Sequence, residues 1–392
     1  MSVRTMRGQV AIAGIGETHY YRHGKSPDAE FKLALKAIQA ACDDAGIDPR
    51  EIDGFSSYAN DRNEASRLAA ALGTRRLRSS LMQWGGGGGG CCAAVANGAA
   101  AIATGMAECV VVFRALAQGA QGRFGTGAST AGAPENAYMQ PYGVLSPTQK
   151  FTLKIRRYME LHGVRQEALR AIALAAYQHA QANPRAVMHG KPLDAAQYDA
   201  SRWIVEPLHL YDCCQENDGA AAVVLVAAER ARTLRHPPAF LLGAASGSGH
   251  RTGAHPHNAP HYASASFDGV AQDCFRMAGV TPADVGVVQV YENFTGGVVM
   301  ALAEHGFFAP EQANEFLTLE NLTAPAGKLP FNTSGGNLAE AYLHGFELVV
   351  EATRQIRRTS TSQASRSDIS MVIGAPLVSP VSNLILGSEA TL

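Results

Sequence analysis

Six consecutive glycines, Gly85 to Gly90, stand between an apolar run ending in Trp84 and an Ala-rich segment, Cys91 to Gly105, with the makeup of a helix. Glycine lets a backbone approach a ligand closely and take positive φ. A helix opening directly behind such a turn offers unpaired N–H groups to negative charge. The chemistry this suits is stabilisation of an oxyanion. A flexible linker is the plainer alternative for a glycine run, but no Ser- or Pro-rich margin flanks this one. Cys91 and Cys92 follow at the helix N-terminus, a position that lowers a thiol's pKa; small buried apolar thiols are the other reading. His250, His255, His257 and His261 crowd a Gly/Pro/His-rich stretch whose spacing fits no standard ligand pattern, so no metal site is assigned and a surface or partner-facing loop is expected. Lys150, Lys154, Arg156 and Arg157 gather in one helical stretch, either a solvated face or a means of steering phosphate groups.

The elements that must position these residues alternate in type, the mark of an α/β protein. Val10 to Gly14 reads as a strand and Asp28 to Ala45 as an amphipathic helix. Gly46 stops that helix, Asp48 caps a short turn, Pro49 takes its first position and Glu51 closes a capping box. The strand Gly54 to Tyr58 follows. The phrase returns as Ala278-Gly279-Val280-Thr281-Pro282-Ala283-Asp284-Val285, after a helix through Phe267 to Met277 and before a strand Val287 to Tyr291, so that Tyr58 falls opposite Tyr291. Each copy opens on an apolar strand, the second at Ala239 to Gly243, and proceeds to a glycine turn and helix, the second at Gly335-Gly336. Agreement of four successive elements in order implies a duplication. Two such halves related by a pseudo-twofold set their glycine turns face to face, with a site between them. Between the halves, Ala115 to Pro134 is expected to be irregular and Ser146 to Tyr177 mostly helical, while Ala220 to Val226 is a buried strand that rejoins the first half's sheet. The organisation expected is 1–115 with 205–236 as the first half, 116–204 as an inserted loop domain, and 237–392 as the second half.

Composition narrows the function. A net charge of -1 from 33 basic and 34 acidic residues leaves no footprint for nucleic acid or an acidic membrane. Seven cysteines without a Cys-x-x-Cys spacing suggest a reduced, cytoplasmic chain. The apolar stretch near the N-terminus is too short for a signal segment, and no window approaches the roughly 20 apolar residues of a spanning helix.

With the duplication, the insertion and Asp218-Gly219-Ala220-Ala221-Ala222-Val223 in view, the chain resembles the thiolase superfamily, most nearly its sterol-carrier-protein type and lipid-transfer relatives. The resemblance covers nearly the whole length. Its most specific matches are Gly88 to Gly105 ending Ile102-Ala103-Thr104-Gly105, then Tyr291-Glu292-Asn293-Phe294, then Asn332-Thr333-Ser334-Gly335-Gly336. It implies an α/β fold of duplicated βαβαβαββ halves in a layered αβαβα arrangement with an inserted loop domain. Aligned on those motifs, the thiolase nucleophile falls at Gly88, the histidine of the Gly-His-Pro motif at Tyr342, and the second catalytic cysteine near Gly374. Two cysteines and a histidine are absent, and two tyrosines stand at former catalytic positions. That pattern is similar to the steroid side-chain aldolases. They are implied to cut 17-hydroxy-3-oxo-pregnene-20-carboxyl-CoA to a 17-keto steroid and propionyl-CoA, with no cofactor beyond the CoA thioester itself. The resemblance further implies a homodimer and a small OB-fold partner of the domain-of-unknown-function type, together a heterotetramer.

A retro-aldol cleavage needs a base for the β-hydroxyl proton, donors for the enolate oxygen and an acid for the enolate carbon. Tyr291 and Tyr342 are expected to be that acid/base pair, in either order; a tyrosine can serve for either proton if fixed donors or positive potential bring its pKa down. Backbone N–H groups around Gly88 and Gly374 would receive the thioester oxygen. His344 and Glu292 are weaker candidates for support. Two other readings stay open: a thiolase using Cys91 or Cys92 on a 3-ketoacyl-CoA, and a non-catalytic acyl-CoA- or lipid-binding relative.

Overall fold

Runs such as Val110-Val111-Val112-Phe113 and Ala220 to Val226 carry apolar side chains for both faces of a sheet, which confines them to strands covered on both sides. In a computed structural model, which describes residues 5–119, 136–249 and 261–392, they lie in its middle. Among the described residues nine strands form one hydrogen-bonded path: β1 (Val10–Glu17), β2 (Gly54–Tyr58), β3 (Ser79–Gln83), β4 (Cys109–Leu116), β5 (Asn217–Ala227), β6 (Ala239–Gly247), β7 (Val287–Val290), β8 (Ile369–Ile373) and β9 (Val381–Gly387). A tenth short strand, Tyr21–Arg22, pairs with β5. Their spatial order is β7-β8-β9-β6-β1-β5-β4-β2-β3.

The duplication is visible in that order. On one side β3, β2 and β4 run parallel, and β5 is antiparallel to both β4 and β1. On the other, β7 and β8 run parallel, and β9 is antiparallel to both β8 and β6. A parallel bridge from Val288 to Phe331 stands where β3 stands in the first copy. The copies join where Ala11 and Ile12 of β1 pair with Phe240 and Ala239 of β6.

Around the strands run α1 (Glu30–Ala45), α2 (Cys91–Ala103), α3 (Pro147–His162), α4 (Gln166–Ala182), α5 (Val270–Ala278), α6 (Thr295–Glu304), α7 (Gly336–Ala339) and α8 (Phe346–Arg357). Successive strand side chains point to opposite faces, and the core divides accordingly. Val110, Val112, Val223 and Leu225 share a cluster with α2 and α8. Val111, Phe113 and Val224 share another with α1 and α5. Helices α2 and α8 thus form the layer into which both copies face.

The helix crossings repeat residue for residue. A Cβ on Gly14 would lie 2.8 Å from Ala45 Cβ on α1, and one on Gly243 would lie 2.8 Å from Ala278 Cβ on α5 and 2.6 Å from the Cys274 carbonyl. Backbone leaves nothing to give way there. Gly243→Val is therefore expected to cost about 1–3 kcal/mol, read as a lower urea midpoint; an unchanged midpoint would mean that the crossing is loose.

Some local expectations change. Asp48 accepts from Arg50 N–H at 2.9 Å, but Glu51 pairs with Arg230 at 2.7 Å instead of closing the box. In the second copy Asp284 does reach back, accepting from Thr281 N–H at 2.8 Å and from its hydroxyl at 2.7 Å. The glycine pair Gly335-Gly336 opens only the single turn α7; the counterpart of α2 is α8, which starts behind Gly345. Most of the stretch Ala115 to Pro134, with His250, His255 and His257, lies outside the described residues. The basic cluster does not form one surface: Lys154 is buried over the Tyr262 ring, and Arg156 pairs with Glu160 at 2.9 Å. Among the described residues no helix is long and apolar enough to cross a membrane.

Candidate active site

Tyr291 directly follows β7, and its N–H donates to the Ile373 carbonyl at 2.9 Å, so the parallel ladder to β8 continues past the strand and fixes the chain as it turns. The side chain of Asn332 binds the other edge of β7, accepting from Val290 N–H at 2.7 Å and donating to the Val290 carbonyl at 2.8 Å. Tyr342 lies between α7 and α8, and its N–H donates to Asn217 Oδ1, at the start of β5, at 2.8 Å. Tyr342 is thereby tied to the first copy and Tyr291 to the second. Their hydroxyl oxygens are 2.9 Å apart, with the rings edge to face.

Tyr291 occupies the space that a side chain at position 88 would need. A Cβ on Gly88 would overlap the ring carbons and lie 2.7 Å from the phenol oxygen. Gly345, at φ 83°, also abuts the ring: a Cβ there would be 3.1 Å from Cε2. The glycine turn that answers Gly88 is therefore the one at Gly345. Gly335-Gly336, expected in that place, instead packs against Ala180 of α4 and against Glu292.

A cavity of about 250 Å³ opens onto the pair, lined by Gly88, Tyr291, Tyr342 and His344. Pro147, Thr148 and Phe151 supply a wall from α3, and Cys213, Cys214 and Glu216 another. Four of the expected site residues thus come together. Gly374 does not join them: its N–H donates to the Ser382 carbonyl at 2.8 Å, and its neighbour Ala375 lines the cavity. Glu292 faces away, accepting from Asn337 N–H at 3.0 Å, with burial holding its carboxyl up at about 7; it anchors α7. Cys91 and Cys92 are fully buried and do not line the cavity, and Cys92 Sγ sits 3.6 Å from the Val372 carbonyl. Burial pushes the Cys92 thiol well above its ordinary range.

Burial also pushes both phenols well above the usual tyrosine value. At Tyr291 the neighbouring phenol and Cys214 add to the rise. At Tyr342 the hydrogen bond from Tyr291 and the Arg114 guanidinium oppose it. Fixed donors and positive potential therefore do not bring the phenol pKa values down: burial outweighs them at both residues. Residues that sequence reasoning passed over include Cys214 and Glu216 on the cavity wall and Arg114 behind it. Arg114 had a signal, as a lone charge within the apolar run Cys109 to Leu116. Among the described residues no group of three His, Cys, Asp or Glu side chains is placed to hold a metal.

Residues 247–387 match the family model described as thiolase C-terminal domain-like. Over 97% of its length the chain is 38% identical to the steroid side-chain-cleaving aldolase of Thermomonospora curvata, covering 98% of that protein. Over the same share it is 35% identical to the 17-hydroxy-3-oxo-4-pregnene-20-carboxyl-CoA lyase of Mycobacterium tuberculosis, covering 100% of it. A solved Ltp2-ChsH2(DUF35) aldolase superposes with a TM-score of 0.90 at 37% identity, over 99% of this chain and 100% of that one. Human mitochondrial 3-ketoacyl-CoA thiolase, 14% identical, superposes with a TM-score of 0.70 over 98% of this chain and 100% of that one, a likeness of fold alone.

Proposed function

The chain belongs to the thiolase-fold family of steroid side-chain-cleaving aldolases, and from that premise we propose that it cleaves a β-hydroxyacyl-CoA by a retro-aldol reaction. The substrate class is a steroid side-chain thioester, 17-hydroxy-3-oxo-pregnene-20-carboxyl-CoA, giving a 17-keto steroid and propionyl-CoA. The observation that carries this reading is the pair of phenols 2.9 Å apart, with Tyr291 laid over the glycine at the position aligned with a thiolase nucleophile.

The raised phenol pKa values fit a relay better than a standing phenolate. The β-hydroxyl proton passes to Tyr342 as Tyr342 passes its own to Tyr291 and Tyr291 protonates the α-carbon. The electron pair of the breaking bond becomes the enolate and returns to carbon with that proton. One proton enters and one leaves, so the pair never bears a full charge in its buried site. Tyr342 takes the base end because Arg114 favours its anion; as it receives the β-hydroxyl proton, the hydrogen bond between the phenols runs from Tyr342 to Tyr291, the reverse of its resting sense. Tyr291 takes the acid end because it lies against Gly88, whose backbone we assign to the thioester oxygen; Gly374 has no N–H to spare for that role.

The cavity falls just short of the roughly 300–1,000 Å³ of whole ligand sites, so it takes the reacting carbons and leaves the CoA outside. We read 116–204 as an insertion into a first half of 1–115 and 205–236, with 237–392 as the second half, and α3 as the part of the insertion that reaches the cavity. A DUF35-type partner is proposed from the similar aldolase complex. A homodimer is proposed through the edge of β3, where Met82 and Trp84 are exposed. No cofactor beyond the CoA of the substrate enters the scheme. Incubating the chain, with and without its DUF35-type partner, with a panel of 17-hydroxy-steroid and simpler β-hydroxyacyl-CoA thioesters tests the reading: a ketone and a shorter acyl-CoA in equal amounts are expected. In the same assay Cys91→Ala/Cys92→Ala should keep most of the turnover, and its complete loss would return the reaction to sulfur.

A further inference from the structure

His344 has a left-handed backbone, φ 55°, which residues other than glycine seldom adopt. Such strain persists where the surroundings enforce it, and it gathers at working sites. Two residues of the first copy enforce it here. The Tyr58 hydroxyl donates to the His344 carbonyl at 2.9 Å, and Arg114, 2% exposed, donates from Nη2 to the ring Nδ1 at 3.1 Å. A guanidinium has donors and no acceptor. The Nδ1 must therefore be the lone-pair nitrogen, and the neutral ring carries its proton on Nε2.

Arg114 is itself fixed. Its Nη1 pairs with Asp61 Oδ2 at 3.0 Å with both side chains buried, its Nη2 reaches Asn60 Oδ1 at 3.3 Å, and the guanidinium stands over the Tyr58 ring. The cavity is lined by His344 and not by Arg114, so the arginine holds the ring from behind. Burial, with the guanidinium adding to it, keeps the ring from protonating.

We infer that His344 is a fixed Nε2–H hydrogen-bond donor to the oxygens at the Tyr342 end of the proton path, and that the Asp61–Arg114 pair is the positioning device that denies the ring the role of a base. The inference rests on the two-phenol reading above. In that reading the β-oxygen gains negative charge as its proton leaves, and a donor already in place stabilises it without reorganising.

Nitrogen-15 histidine spectra of the full chain test the tautomer, with the His344 signals assigned by their loss in His344→Gln. A bare Nδ1 and a protonated Nε2 are expected, and Arg114→Gln should turn that signal into a mixture of tautomers. If that variant fails to fold, Asp61→Asn, which loosens the pair and keeps the cation, gives the same reading. In turnover, His344→Ala should lower kcat about 100-fold with KM little changed. His344→Gln, whose amide N–H can stand near the place of Nε2, should recover about tenfold of that. A protonated Nδ1 in the wild type, or a Gln variant no better than the Ala variant, overturns the assignment. The tautomer is read without turnover, so a failure of the two-phenol reading would show separately, as activity retained in Tyr342→Phe.

Discussion

Tyr342→Phe and Tyr291→Phe are each expected to lower kcat by about 10²–10⁴-fold while the chain stays folded. The change removes one oxygen from a pair whose hydroxyl groups meet at 2.9 Å, and it leaves both rings in their packing. Its cost to stability is that of one hydrogen bond, about 1 kcal/mol. In a relay either end is useless without the other, so the double variant should be little worse than either single one. Steady-state kinetics on the three variants, beside circular dichroism and urea unfolding, decide this. Near-normal turnover in either single variant would remove the relay, and losses that multiply in the double variant would mean that the phenols work independently.

Gly88→Ala is expected to abolish turnover almost as fully, for a steric reason. A Cβ at 88 overlaps the Tyr291 ring, and Gly345 on the same ring leaves it no room to retreat. A shift of about 1 Å in a reacting group can cost 100-fold. Gly88→Cys returns sulfur to the position that aligns with a thiolase nucleophile, yet it should gain no thiolase activity. The position aligned with the activating histidine holds Tyr342, and the new side chain displaces Tyr291. An active Gly88→Ala would show that the Tyr291 ring can retreat, and CoA-dependent cleavage of a 3-ketoacyl-CoA by Gly88→Cys would show that the site tolerates sulfur chemistry after all.

The parts of this site that were legible in the sequence are those set by local chemistry. The repeated cap-proline-acid phrase betrayed the duplication because helix stops and caps are decided within a few residues, and the strand order carries the same repeat. Gly88, Tyr291 and Tyr342 could be placed by aligning motifs. What could not be read depends on distant partners. Whether the Gly374 N–H is free is decided by Ser382 across the strand pair. Glu292 is turned toward Asn337 by a fold contact that no spacing announces. The phenol pKa values follow from burial, a property of the whole packing. Arg114 stood out as a charge in an apolar strand, but its partners Asp61 and His344 lie 53 and 230 residues away.

The two-phenol relay requires carbon–carbon cleavage by proton transfer without acyl transfer to sulfur. The direct measurement is the mass of the short acyl-CoA formed from a β-hydroxyacyl-CoA in deuterium oxide with no free CoA added. One deuterium on the α-carbon, delivered by an exchanged phenol, and one acyl-CoA for each ketone are expected. A product that forms only when free CoA is supplied, or an acyl mass found on the protein chain, would contradict the relay.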